Sequence, residues 1–506
     1  MTGALRPGAD DVRLIGFYLG KVLLGLGLVM TVPAVVALIV EEWNEASAYL
    51  IGVSLCVIVG SLSEVRLRTR QPLTWAHGMV VVALAWLVGA IFAAIPMYLT
   101  GRFSDPLAAL FEAMSGLTTT GMSVIHDLDH TPVAEDLFRH LLQLVGGLGI
   151  VIVVLSLFAG GGGRVTTLYT AEARDERVMP NIIRTARFIF GVAVSFLLLF
   201  TTALFGTLLA DGFSPARALY HAFNLFFSSF STGGFSTMQA SMIYYHSPLV
   251  EVLVMLAMIA GTLSFGLHLA LWRGDPRTVL RHLETRTLAI TSSLFLLGMT
   301  YGLLRAGTYD AVGPLFRKGV FTLVSAVSSS GHQVNVGDTY LTDWGVLAPA
   351  AIVGAMAIGG MASSTSGGIK AIRIGIAYKT LLHDIRRILL PEAALVVTSY
   401  DVGRRRTLRD ETARAATTVL LLYIVTYLVG AIAGLLSGEY DITQTLFESV
   451  SIGSNIGISI GVVHPGMPDG LMAVYILMMW LGRLEFVAGF ALLGYLVSLA
   501  RGRAAT

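Results

Sequence analysis

The 506-residue chain carries one cysteine, Cys56, and only 13% of its residues are Asp, Glu, Lys or Arg. A lone thiol inside an apolar stretch excludes a disulfide framework and a thiolate metal site, and it reads as a small core residue. Scarce charge beside 55% hydrophobic residues and a mean hydropathy of +0.75 excludes a water-soluble globular domain. No nucleotide-binding fingerprint is present. The run Gly160 to Gly163 before Arg164 lacks the strand and helix that a phosphate loop needs, and reads as a flexible cytoplasmic turn. His126 and His130 have helical metal spacing but no third ligand, which favours a solvated surface. The apolar spans hold no clustered acid, base or metal set, so an enzyme is not expected. Nor is a cleavable signal, because "MTGALRPGADDVRLIG" leads into a span longer than a signal core, and the first helix should remain as an anchor.

What remains is a polytopic membrane protein. About ten long apolar spans are expected, near 14–40, 47–63, 75–99, 137–159, 188–210, 248–271, 288–304, 342–361, 416–436 and 470–499. Basic residues are unevenly placed. The N-terminal tail, 64–71, 160–187, 272–287, 370–414 and the C-terminal tail hold 26 of the 34 Lys and Arg. By the positive-inside rule both termini and these four loops are cytoplasmic, and shorter mixed segments between other spans open outside.

Four of those mixed segments repeat: "LFEAMSGLTTTG", "AFNLFFSSFSTGG", "VFTLVSAVSSSG" and "LFESVSIGSNIG". Anchored without gaps on Gly121, Gly233, Gly331 and Gly457, they share a phenylalanine ten residues earlier (Phe111, Phe223, Phe321, Phe447). An apolar residue stands seven earlier (Met114, Phe226, Val324, Val450). Each segment opens on turn or capping chemistry: Ser104-Asp105-Pro106, Ser214-Pro215, Gly313-Pro314, and Asp441 with Thr443. The expectation is an all-α protein of two leading helices (1–71) and four pseudo-symmetric helix, pore loop, helix units around a central pore (72–187, 188–287, 288–414, 415–506).

Non-helical backbone at membrane depth is tolerated only where protein buries it or it lines water. Four such loops on one axis can offer carbonyl oxygens in place of a cation's hydration shell. Glycine permits φ > 0 and close approach. The hydroxyls of Thr119, Thr120, Ser231, Thr232, Ser329 and Ser330 either add ligand oxygens or fix the loop; Asn455 and Ile456 make the fourth copy different. Each short helix also aims about half a negative charge at the water below the loops, which favours a cation.

These features, with "STGGFST" (Ser231 to Thr237), "GGLGI" (Gly146 to Ile150), "IGGMASSTSGGIK" (Ile358 to Lys370) and "LGRLE" (Leu481 to Glu485), resemble the Trk/Ktr/HKT superfamily of potassium transporters, most closely its bacterial TrkH branch. The resemblance implies that Gly121, Gly233, Gly331 and Gly457 are filter glycines and that potassium, bound at filter carbonyls, is the only metal, with no organic cofactor. It implies a homodimer with one pore per subunit in a prokaryotic plasma membrane. It also implies a cytosolic, nucleotide-binding regulatory ring of the TrkA-like kind. His332 and the "SNIGISIG" of the fourth loop depart from the family pattern.

The stretch containing Gly359, Gly360, Ser363, Ser364, Thr365, Ser366, Gly367, Gly368 and Lys370 interrupts a span, as either a gate under the filter or a helix exit loop. The resemblance implies the gate. Arg483 in an apolar span costs about 2.5 to 3.5 kcal/mol unless it faces a pore or partner; it is either an electrostatic barrier, as the resemblance implies, or part of a buried ion pair. Glu112 and Glu448 lie nine residues before their glycines and either bond nearby backbone or attract cations. Lys370 to Arg414 holds ten basic residues, serving as a topology signal or lipid contact, or docking the regulatory ring. The rival class is a proton- or sodium-coupled secondary transporter, which calls for inverted repeats and a buried midplane carboxylate.

Overall fold

Backbone polar groups in lipid must pair within their own segment, so apolar stretches of this length cross as helices. The computed structural model describes residues 8–69, 71, 73–149, 182–309, 311–335, 337, 339–391 and 396–501. The fold is an all-α polytopic membrane protein. Among the described residues six helices are long and apolar enough to span a bilayer: Ala9–Ile39, Trp43–Arg66, Trp75–Leu99, Arg187–Ala210, Leu283–Ala306 and Asp410–Leu436. The glycine run at 160–163 and most of the basic stretch 160–187 lie outside the described residues.

The two leading helices pack closely because small residues face each other: a Cβ on Gly20 would stand 2.9 Å from the Gly60 carbonyl oxygen. Cys56 is fully buried there, its Sγ 4.0 Å from Met30 Sδ.

Four short helices precede the four loops: Pro106–Leu117, Pro215–Phe230, Val312–Ser328 and Ile442–Gly453. Asp105 caps the first by accepting from the Ala108 N–H at 2.9 Å, with Pro106 in the first turn. Asp441 caps the fourth in a reciprocal box with Gln444 rather than Thr443. The third starts at Val312, so Pro314 stands inside its first turn instead of opening it.

Three of the expected spans are broken, two without warning and the third where the sequence already placed an interruption. The stretch 248–271 is Pro248–Thr262 and Phe265–Trp272, bent by 103°; 470–499 is Asp469–Arg483 and a helix from Val487, bent by 111°. The third, 342–361, contains Leu347–Ile358, which stops at Gly359 (φ +66°). Hydropathy averages over a window, so a few residues such as Thr262 to Ser264 or Arg483 to Phe486 vanish within it. In the basic segment, Ser399–Asp401 pairs antiparallel with Arg405–Thr407 through a turn at Gly403 (φ +75°), a hairpin that charge composition does not signal.

Candidate functional site

Each short helix ends in the same backbone turn. The N–H groups of Thr120, Gly233, Ser330 and Ile456 reach back to the carbonyls of Ser115, Ser228, Ser325 and Ser451 at 2.9, 2.7, 2.9 and 3.0 Å. One residue earlier, Thr119, Thr232, Ser329 and Asn455 have φ between +52° and +60°. A left-handed conformation costs a non-glycine residue about 1–2 kcal/mol, so four in equivalent places are held by the surrounding packing. One residue later come Gly121, Gly234, Gly331 and Gly457, with φ of +80°, +76°, +84° and +93°.

This geometry corrects the repeat. The counterpart of Gly121 in the second loop is Gly234, and Gly233 corresponds to Thr120. Phe223 consequently falls out of register, and fully buried Asn224 occupies the place held by Phe111, Phe321 and Phe447. With the shift applied, a buried serine stands six residues before every glycine: Ser115, Ser228, Ser325 and Ser451. The serine is the sequence signal that separates the two adjacent glycines of "STGG".

The loops close into a ring. A Cβ added to Gly121 would strike the carbonyl oxygen of Gly233, one on Gly234 that of Ser330, one on Gly331 that of Ile456, and one on Gly457 that of Thr120. Each glycine therefore abuts the carbonyl that precedes the glycine of the next loop, and the circuit returns to its start. The carbonyls of Thr120, Gly233, Ser330 and Ile456 are thus neighbours around one centre. The copies are not identical, since Gln143 Nε2 donates to the Gly233 carbonyl at 2.7 Å.

The loop hydroxyls are occupied by protein. Thr120 Oγ1 accepts from Asn455 Nδ2 at 2.9 Å and lies 2.8 Å from Thr118 Oγ1; Ser328 donates to Ser330 at 2.9 Å. Asn455 Nδ2 also donates to the Met479 carbonyl at 2.9 Å. Ser231 Oγ lies 3.4 Å from the Ser228 carbonyl. His332 is fully buried, its Nε2 3.2 Å from the hydroxyls of Ser228 and Ser229, and so links the third loop to the second short helix. Of the two uses open to these hydroxyls, the contacts match fixing the loops.

The stretch from Gly359 to Lys370 lies against the second, third and fourth loops or the helices beside them. Thr365 Oγ1 donates to the carbonyls of Phe230 and Gly261 at 3.0 and 2.9 Å and receives from Thr232 Oγ1 at 3.2 Å. Ser329 Oγ donates to the Gly367 carbonyl at 3.4 Å, while a Cβ on Gly367 would collide with the Ser454 carbonyl. Gly359 (φ +66°) and Gly368 (φ +77°) meet at the base of the hairpin, where a Cβ on either would hit the other strand. Beside Gly359, a Cβ on Gly360 would run into Ser366 Oγ. Ser364 and Ser366 share a hydroxyl bond of 2.7 Å; the Ser363 carbonyl accepts from the Phe265 N–H at 3.2 Å; buried Lys370 donates to the Ser366 carbonyl. These contacts make the stretch a tightly packed hairpin.

Arg483 ends its helix instead of lying within one. It donates to Thr365 O at 2.8 Å, Gly146 O at 2.7 Å and Thr119 Oγ1 at 3.1 Å, with its guanidinium 5.5 Å from the Trp86 ring. It therefore joins the first loop, the hairpin from Gly359 to Lys370 and the helix after the first loop. Glu485, two residues on, pairs with Arg373.

Glu112 and Glu448 are both fully buried and brace the limb leaving their loops. Glu112 accepts from Val124 N at 3.0 Å, Ser123 Oγ at 3.0 Å and Arg139 Nε at 2.8 Å. Glu448 accepts from Ile460 N, Ser459 Oγ and Val463 N at 3.1, 2.6 and 3.1 Å. His130 is exposed and bonds Asp127, and among the described residues no group of three metal-ligating side chains occurs.

Residues 45–491 match the family model TrkH, described as cation transport protein. The chain is 31% identical to an uncharacterized cation transporter of Methanocaldococcus jannaschii, over 96% of each chain. It is 29% identical to the Trk system potassium uptake protein TrkH of Halomonas elongata, over 94% of this chain and 97% of that one. The crystal structure of the potassium transporter TrkH from Vibrio parahaemolyticus superposes with a TM-score of 0.80 at 25% identity, covering 96% of this chain and 98% of that one. A ring of four glycine loops, in a membrane fold matched along almost its whole length, places this chain in the TrkH family of cation transport proteins.

Proposed function

We propose that the chain carries potassium ions into the cell, down their electrochemical gradient, through the ring formed by its four loops. The observation that carries this reading is the closed circuit in which each glycine meets the preceding carbonyl of its neighbour; relatives named as potassium uptake proteins support the choice of ion. The ion sheds water and is held by main-chain oxygens of Thr119-Thr120-Gly121, Thr232-Gly233-Gly234, Ser329-Ser330-Gly331 and Asn455-Ile456-Gly457, with Ser231 behind the second loop. The C-terminal ends of the four short helices add favourable potential for a cation. At a membrane potential near 100 mV a monovalent cation gains about 2.3 kcal/mol on entry, so uptake needs no hydrolysis site.

The plug from Gly359 to Lys370 closes the path below the ring, and the Arg483 guanidinium repels cations there. Opening withdraws Thr365 from the Phe230 and Gly261 carbonyls. A cytosolic regulatory ring, docked on the basic segment 370–414, drives that motion in a homodimer whose termini are cytoplasmic. Complementation of a potassium-uptake-deficient strain tests the reading. The wild-type chain restores growth at low potassium, and Gly121→Ser, whose Cβ meets the Gly233 carbonyl, lowers potassium uptake and raises the sodium share of what passes; failure of the well-expressed wild-type chain refutes it.

A further inference from the structure

A second concave site lies between the basic stretches 272–287 and 370–414. A cavity of about 350 Å³ is lined by Arg281, Arg286, Lys379 and Arg405, with Asp401 the only acid in its wall. Its walls come from the short helix Pro276–Arg281, the first two turns of Leu283–Ala306, the helix Ala371–Leu389 and the hairpin. They are joined by a small shared core of Leu283, Ile376, Tyr400, Val402 and Ala416. Arg405 is oriented by donating to Ser399 Oγ at 2.9 Å, and Arg286 by donating to the Leu280 carbonyl at 3.0 Å. Four cations around one carboxylate in a walled cavity call for an anion with several acceptor oxygens, and a phosphate suits arginine best.

The surroundings identify which phosphate. From Arg286 an apolar stripe runs up one face of Leu283–Ala306: Ile290, Leu294, Leu297 and Tyr301 are 69%, 64%, 70% and 58% exposed. A soluble phosphate has no use for that stripe, whereas a lipid places its headgroup in the cavity and an acyl chain along it. We propose that this cavity binds the phosphate headgroup of an anionic membrane lipid. Because Lys379 belongs to the helix that begins immediately after Lys370, a bound headgroup also bears on the plug; that consequence rests on the gating reading above, and the binding does not.

Native mass spectrometry of the full-length chain in detergent, titrated with phosphatidylglycerol or phosphatidylcholine, tests the site without measuring transport. The wild type is expected to retain phosphatidylglycerol selectively, with inorganic phosphate failing to displace it. R281Q/R405Q should weaken that binding about thirty-fold, at about five-fold per arginine near a membrane surface. R404Q/R409Q removes the same charge outside the cavity and should leave binding unchanged. L294S keeps every charge and should weaken binding several-fold through the stripe alone, so the assignment stays testable if the arginine variant does not fold. Equal binding by R281Q/R405Q and R404Q/R409Q, no weakening in L294S, or displacement by inorganic phosphate would overturn the proposal.

Discussion

The four loops and the places beneath them where the following helices end or break follow different rules. At the loops every copy repeats one main-chain hydrogen bond, one left-handed pair and one buried serine, although the side chains vary from Thr119-Thr120 to Asn455-Ile456. At the breaks nothing repeats. The helix after the first loop stops at Gly149 (φ +92°), the second kinks at Ser264, the third gives way to the plug from Gly359 to Lys370, and the fourth turns through Glu485 and Phe486 in the left-handed region. Backbone equivalence is what a small ion needs from all sides, because carbonyls serve alike whatever side chain follows. Individual breaks are what a single moving element needs, since a plug must be held differently by each neighbour. Symmetry is kept where coordination is proposed and lost where gating is proposed.

The sharpest way to break that contrast is to violate the ring at one copy. Gly234→Ala places a Cβ on the Ser330 carbonyl at a positive φ, while Gly233→Ala meets only the end of the Gln143 side chain. Potassium uptake should fall about a hundredfold in the first, as expected from roughly 3 kcal/mol of overpacking, and far less in the second. Equal losses, measured as rubidium uptake at matched expression, would restore the register that puts Gly233 opposite Gly121.

The braces provide the next test. Glu112→Gln takes one of two carboxylates from buried Arg139, leaving Asp136 at 2.7 Å, and should cost about 1.5–3 kcal/mol. Glu448→Gln keeps an acceptor for most of its neutral donors and should cost about 1 kcal/mol. Thermal unfolding in detergent should show the larger drop in melting temperature for Glu112→Gln, and equal drops would mean that the first and fourth units are braced alike.

At the breaks the expected effects are smaller and of opposite sign. A like charge opposes a passing cation by on the order of 1–2 kcal/mol at an effective dielectric constant of ~20 and separations of ~10 Å. Arg483→Ala should therefore raise rubidium flux roughly tenfold, whereas unchanged flux would make the side chain a structural clasp only. Thr365→Val removes the one hydroxyl proton shared by the Phe230 and Gly261 carbonyls and should raise flux about five-fold, the equivalent of ~1 kcal/mol; a decrease would argue that the plug guides ions instead of stopping them.

Much of the fold was legible because lipid leaves few alternatives: long apolar runs became helices, and Asp105-Pro106 marked a helix start. The glycines of the first, third and fourth loops were legible because φ > 0 selects glycine. The second loop misled because two adjacent glycines satisfy that rule equally, and only the recurring serine separates them. The kinks at Ser264 and after Arg483 were not legible, because tertiary contacts such as Arg483 to Thr365 and Glu485 to Arg373 stabilise them. Nor was the bracing partner of Glu112 apparent, since Arg139 comes from a different helix.

The central claim is that the carbonyls of Thr120, Gly233, Ser330 and Ile456 jointly surround one dehydrated monovalent cation. Anomalous diffraction from crystals grown in rubidium or thallium salts tests it most directly. A peak on the axis of that ring, replaced by sodium only at much higher concentration, is the predicted result. Strong peaks elsewhere in the protein with none inside the ring would contradict it.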